Sequence, residues 1–71
     1  MTVYLCSYVL ESARGMKENW SFIDYARSRG EAERDAETAR RFVKDEFFAD
    51  YDTMRLTGIK AVDAPWIRER R

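Results

Sequence analysis

The run from Val3 to Leu10 is apolar on both faces of a β-strand, and this feature limits the folds open to a chain of 71 residues. Side chains alternate across a strand. One face would carry Val3, Leu5, Ser7 and Val9, and the other Tyr4, Cys6, Tyr8 and Leu10. A chain this short has residues for about one covering helix and buries only about 60% of its unfolded surface. One face therefore has to meet something else, and we expect it to be the face with the tyrosines.

Composition places the chain among globular proteins, with 45% hydrophobic and 37% charged residues. Thirteen basic and thirteen acidic residues cancel, so no overall field attracts nucleic acid or an anionic membrane. No stretch approaches the roughly 20 apolar residues of a membrane span, and the first residues do not resemble a signal peptide. The single cysteine, Cys6, is typical of a reducing compartment. We therefore expect a cytoplasmic protein without a membrane partner.

Two more strands are predicted from alternating apolar residues and from the loops that bound them. The polar segment 11–19 is interpreted as a long hairpin loop, and it leads into a strand over about Trp20 to Arg27. A third strand is predicted over Thr53 to Val62, with Met54 and Leu56 on one side and Ile59 on the other. Gly58 indicates a bulge or a close approach in this strand.

A helix start follows the second strand, because Ser28 and Glu31 have the spacing of a capping box. Small and apolar residues then recur at helical spacing as one buried stripe, formed by Ala32, Ala36, Ala39, Val43 and Phe47. Among the other aromatic side chains, Trp20, Phe22 and Phe42 are expected in the core with Phe47.

The predicted fold is α+β: a three-stranded, mostly antiparallel sheet with one helix packed on one face, in the order β-β-α-β. Pairing of the third strand beside the first is preferred, since this places the most apolar strand in the centre. We expect residues 1–64 to form a single domain and residues 65–71 to form a short basic tail. A short helical turn, with Trp66 and Ile67 folded back on the domain, is one interpretation of the tail.

The residue types argue against an enzyme, a cofactor site and a metal site. Histidine is absent, so the commonest general base and metal ligand are missing. Cys6 lies mid-strand without a base and is interpreted as a core thiol. The three glycines are isolated, so no phosphate-binding loop is predicted. Asp24 has two interpretations: it points to an edge of the sheet, or it is a paired carboxylate used in function.

The aromatic residues are the strongest indication of function, because tyrosine and arginine carry much of the binding energy at protein interfaces. Tyr4, Tyr8 and Tyr25 are predicted to lie together on the uncovered face. Charged contacts at the rim of this surface are expected from Arg14, Lys17 and Arg27, with Asp24 included in the partner-binding set. Homodimerisation through the same face is an alternative.

The strand hairpin, the helix start with Ala26, Ser28, Glu31, Ala32 and Ala36, and the closing strand together resemble short proteins of bacteriophages and mobile elements. Among these, the chain is similar to the small sheet-plus-helix anti-CRISPR proteins. The resemblance implies a non-enzymatic inhibitor that binds a bacterial nucleoprotein complex and blocks it by surface occlusion. It implies no functional residue, because that group shares no diagnostic motif.

Nucleic-acid binding is the competing hypothesis. Bases would stack on the three tyrosines, and phosphates would contact Arg14, Lys17 and the tail residues Arg68, Arg70 and Arg71. Zero net charge argues against direct binding of this kind.

Overall fold

The computed structural model describes residues 1–62, which form three strands and one helix. The elements are β1 (Thr2–Glu11), β2 (Lys17–Ala26), α1 (Arg29–Phe47) and β3 (Thr53–Ala61). The predicted α+β fold is confirmed. The end of the predicted domain and the basic tail, with Trp66 and Ile67, lie outside the described residues.

The sheet has the order β2-β1-β3, and both neighbours of β1 run antiparallel to it. The preferred pairing of the third strand beside the first is thus confirmed. The hairpin loop is shorter than predicted, because β1 continues to Glu11 and β2 begins at Lys17. Gly15 supplies the turn with a φ of 82°, a left-handed conformation that glycine adopts without strain. The polar residues assigned to the loop instead form the exposed start of an edge strand.

A bulge in β3 changes which of its side chains share a face. The pairing with β1 shifts between Ser7 and Tyr8, so that Gly58 pairs with Ser7 and Leu56 with Tyr8. Thr57 is the extra residue, and its hydroxyl donates to the Ser7 carbonyl at 3.0 Å. The predicted separation of Leu56 from Ile59 is therefore wrong: both pack on the core side of the sheet, because one extra residue reverses the alternation.

The capping residues begin α1 as predicted. The Glu31 amide donates to the Ser28 hydroxyl, and the Glu31 carboxylate accepts from the Arg27 amide, each at 3.2 Å. Ala32 and Ala36 are fully buried, so the helix lies close to the sheet. The Tyr8 hydroxyl donates to the Ala36 carbonyl at 2.7 Å, and the Arg29 guanidinium donates to the Ile59 carbonyl at 2.8 Å. These two hydrogen bonds fix the helix over β1 and β3.

The helix covers the face of β1 that was expected to stay open. Tyr4 is 8% exposed and Tyr8 is 1% exposed, and both belong to the core cluster. The core consists of Tyr4, Cys6, Tyr8, Leu10, Ala26, Ala32, Ala36, Met54 and Ile59. The predicted position of Tyr4 and Tyr8 on the uncovered face is therefore wrong. Alternation alone identifies which residues share a face, and does not identify the face on which the helix packs.

Two of the four aromatic residues expected in the core are on the surface. Trp20 and Phe22 pack against the core as predicted, whereas Phe42 is 61% exposed and Phe47 is 70% exposed. The space near the end of α1 is filled by Phe48, which caps the helix in a non-helical conformation. Its ring lies 6.1 Å from the ring of Trp20, between centroids. The end of the helix turns Phe48 inwards and leaves Phe47 in solvent.

Candidate functional site

The second face of the sheet is not covered by any strand or helix of residues 1–62, and we call it the open face. Strand register identifies its members from the partners of alternate β1 residues. From β1 they are Val3, Leu5, Ser7, Val9 and Glu11; from β2, Lys17, Asn19, Ser21, Ile23 and Tyr25; and from β3, Thr53, Arg55, Gly58 and Lys60.

One end of the open face is apolar. Tyr25 pairs with Val3, and Ile23 pairs with Leu5. Tyr25 is 51% exposed and Ile23 is 43% exposed, while the two β1 residues beside them are half-buried. Four neighbouring apolar side chains in contact with solvent form a surface of the kind that marks interaction sites.

The middle of the open face is shallow because its residues are small. Ser7 pairs with Ser21 on one side and with Gly58 on the other, so a row of two hydroxymethyl groups and one hydrogen crosses the sheet. A depression of about 480 Å³ lies here, lined by Ser7, Tyr8, Asn19, Trp20, Ser21 and Thr57. Its polar floor separates the apolar end from the hairpin end.

The charged residues of the open face are mostly basic. Lys17, Arg55 and Lys60 are exposed on it, and Glu11 is the one acidic member. Every salt bridge found within residues 1–62 joins two residues of α1. The three cations of the open face are therefore available to an acidic partner.

The predicted binding residues do not form one surface. Tyr25 and Lys17 lie on the open face, whereas Arg14 is in the hairpin loop and Arg27 follows the other end of β2. Ten residues of strand separate Lys17 from Arg27, or about 30 Å. Arg14 lines a depression of about 470 Å³ that also contains Asp50 and Asp52, so its surroundings are acidic.

The sequence interpretation missed the other members of the open face. Leu5, Ile23, Arg55 and Lys60 were not among its candidates. Alternation along β2 groups Ile23 with Tyr25, whereas the pairing register and the bulge in β3 place Leu5, Arg55 and Lys60 on the same face. The tail candidates Arg68, Arg70 and Arg71 lie outside the described residues.

Asp24 lies on the covered side of edge strand β2, opposite Tyr4. Its Oδ2 atom is buried and accepts no hydrogen bond from residues 1–62. Burial raises the pKa of Asp24 above its usual value, and the neighbouring Asp35 carboxyl of α1 raises this pKa further. A second carboxyl close by disfavours the charged form of Asp24, and so does removal from water. Asp24 therefore belongs to the contact between β2 and α1 rather than to the open face.

Cys6 is fully buried in the core, as predicted, and burial raises the pKa of its thiol. A thiol with a raised pKa is a poor nucleophile, because the thiolate is the reactive form. Residues 1–62 contain no group of three or more cysteine, aspartate or glutamate side chains placed to hold a metal ion. The described segment also lacks a helix of the length and hydrophobicity needed to cross a membrane.

The comparisons with known proteins give no further assignment. Protein-family models, curated proteins and solved structures were compared with the chain, and none of them matches it.

Proposed function

We propose that the protein is a non-enzymatic protein-binding module that docks on its partner through the open face. The observation that carries this proposal is the apolar end of that face, where Tyr25 and Ile23 are about half exposed beside Val3 and Leu5. A sheet face with exposed aliphatic and aromatic side chains gains free energy when a partner covers it. Tyr25 supplies a large apolar ring, and its hydroxyl stays free to bond at the rim.

The mechanism that we propose is occlusion of a larger protein surface. The open face, built on three paired strands, covers a site on the partner without chemistry. By the resemblance to small anti-CRISPR proteins, the partner is a bacterial nucleoprotein complex and the effect is inhibition. Lys60 beside the apolar end, and Arg55 nearer the hairpin end, would then contact acidic groups on that complex.

Protein binding is favoured over nucleic-acid binding because the open face offers, within residues 1–62, one aromatic ring for base stacking. Tyr4 and Tyr8 are buried beneath α1, which leaves Tyr25 as the aromatic residue of the open face. Single-stranded nucleic-acid sites combine a basic groove with several stacking rings. A single ring beside aliphatic residues fits an apolar protein surface better.

The experiment compares three forms of the protein as baits in a bacterial lysate. The open-face variant carries Ile23→Ser and Tyr25→Ser, and the control carries Arg34→Ala on the exposed side of α1. We expect at least one protein to be captured by the wild type and by the control but not by the open-face variant. Circular dichroism of all three forms shows whether the fold is kept.

If the open-face variant captures the same proteins as the wild type, the proposal is contradicted. Titration with single-stranded and double-stranded oligonucleotides at low and high salt provides the second arm. Oligonucleotide binding that requires Tyr25 and weakens with salt would favour nucleic-acid binding as the function over protein docking, because phosphate contacts weaken steeply with salt.

A further inference from the structure

A second apolar surface is exposed near the end of α1, on the side of the sheet opposite to the open face. Phe42 and Phe47 are 61% and 70% exposed. Their ring centroids lie 6.4 Å apart, and the rings meet edge to face. We define the helix patch as Phe42, Phe47, Asp45 and Glu46. Asp45 and Glu46 follow Phe42 by about one helical turn and therefore lie on the same side of α1.

The surroundings of the helix patch are acidic. The segment 42–52 contains four acidic residues and one basic residue, and all four acidic residues are exposed. The salt bridges within the described part of the chain use Glu33 and Glu37, and none of them uses Asp45 or Glu46. The patch therefore offers two aromatic rings beside carboxylates that remain available for a partner.

The open face has the opposite charge and a matching apolar end. Ile23 and Tyr25 offer exposed apolar area, and Lys17, Arg55 and Lys60 offer cations without a salt bridge among residues 1–62. Pairing two open faces would bring cations together, and pairing two helix patches would bring carboxylates together. Both symmetric arrangements are opposed by like-charge repulsion, whereas the open face and the helix patch attract each other.

We propose that a second copy of this chain docks its helix patch on the open face, in a head-to-tail contact. Because the two surfaces lie on opposite sides of the sheet, each docked copy leaves one open face and one helix patch free, so the contact propagates. The contact does not depend on the foreign partner proposed above. Where that partner exists, self-association competes with it for the open face.

The first test follows backbone amide resonances of the wild-type protein by NMR during dilution from about 1 mM to about 10 µM, a range that spans weak association. We expect concentration-dependent shifts at Ile23, Lys60, Phe42 and Phe47 together, with no shift at Arg34. Higher salt should reduce them, because exposed charges are screened. Shifts confined to one of the two surfaces, or no shifts, would overturn the head-to-tail contact.

The second test mixes two variants that each keep one surface. One carries Arg55→Glu and Lys60→Glu, and the other carries Phe42→Gln and Phe47→Gln; all four positions are exposed. In sedimentation, each variant alone should remain monomeric at concentrations where the wild type associates. An equimolar mixture should form a dimer and nothing larger, because one intact open face meets one intact helix patch.

Other outcomes contradict the proposal directly. Association of either variant alone to the same extent as the wild type shows that its altered surface is not used. A monomeric mixture shows that the two surfaces do not bind each other. Circular dichroism establishes that both variants are folded, and the dilution series on the wild type remains decisive if either variant is not.

Discussion

The two faces of β1 contain similar amounts of apolar side chain, yet they differ in what covers them. On one face, Cys6, Tyr8 and Leu10 are at most 1% exposed beneath α1. On the other, Leu5 and Val9 are half-buried, with no strand or helix of the described chain above them. The comparison shows that the hydrophobicity of a strand face does not by itself distinguish a core from a binding surface.

Specific contacts, in addition to apolar area, distinguish the covered face. The Tyr8 hydroxyl bonds to the helix backbone at Ala36, and the side chains of Ala32 and Ala36 permit close packing. The open face has exposed cations and a polar depression in place of such contacts. The same residue type can be substituted on each face of the sheet, and the two changes in the free energy of unfolding can then be compared.

The largest effect is expected from the pair Leu10→Ala and Leu5→Ala. Leu10 is fully buried, so its truncation should lower the free energy of unfolding by about 3 kcal/mol through lost burial and a cavity. Leu5 is half-buried on the open face, and its truncation should cost about 1 kcal/mol. Urea denaturation measures both values. Equal losses would mean that the two faces are equally covered.

The tyrosine hydroxyls give the next largest difference. Tyr8→Phe removes the donor at 2.7 Å from the buried Ala36 carbonyl and should cost about 1.5 kcal/mol. Tyr25→Phe on the open face should change stability by less than about 0.5 kcal/mol. Thermal and urea unfolding of both variants test this contrast, and a neutral Tyr8→Phe would contradict the hydrogen bond to the helix.

Asp24→Asn is expected to stabilise the protein at pH 7 by about 1 kcal/mol, because it removes a buried carboxylate with an unsatisfied oxygen next to Asp35. The folded pKa of Asp24 is raised, so the proton is bound more tightly in the folded state. The stability due to the protonated carboxyl is present below the unfolded pKa and is lost as pH rises through the folded pKa. The gain from asparagine should therefore shrink as the pH falls towards 3.8, the unshifted value.

Asp45→Asn on the exposed side of α1 serves as the control for the Asp24 substitution. Its side chain is exposed, so the substitution there should change the free energy of unfolding by less than about 0.5 kcal/mol. Unfolding measured across this pH range provides both curves. A gain from Asp24→Asn that is independent of pH would rule out the charge of Asp24, destabilised by burial and by Asp35, as its cause.

The smallest effect is expected where the sequence interpretation placed core residues. Replacement of both Phe42 and Phe47 by glutamine should change the free energy of unfolding by less than about 0.5 kcal/mol, since both rings are exposed. Phe22→Gln is the contrast and should cost about 2 kcal/mol, because its ring stacks 6.2 Å from that of Tyr8. A large loss from the double substitution would mean that the helix patch is packed.

Much of the fold could be predicted because local signals specify it. The capping box at Ser28 and Glu31 and the alanine stripe locate α1, and alternation groups Tyr4 with Tyr8 and Leu5 with Val9. The candidate site was less predictable. The two sets of β1 residues are both apolar, so their hydrophobicity did not show which of them α1 covers. Tyr25 was predicted to lie with Tyr4 and Tyr8, but the sheet separates it from them.

Chain neighbours and fixed periodicities specify the order of the elements, the helix start and the sets of residues that share a strand face, so these features follow from the amino-acid sequence. Packing of α1 on the sheet, which the sequence pattern leaves open, determines which set of β1 residues is buried and which lies on the open face. The fold also determines that the bulge at Thr57 brings Leu56 to the side of Ile59, and that Phe48 rather than Phe47 turns towards Trp20. These outcomes depend on pairing register and on where the helix ends against the sheet, and both are set by packing between segments distant in the chain.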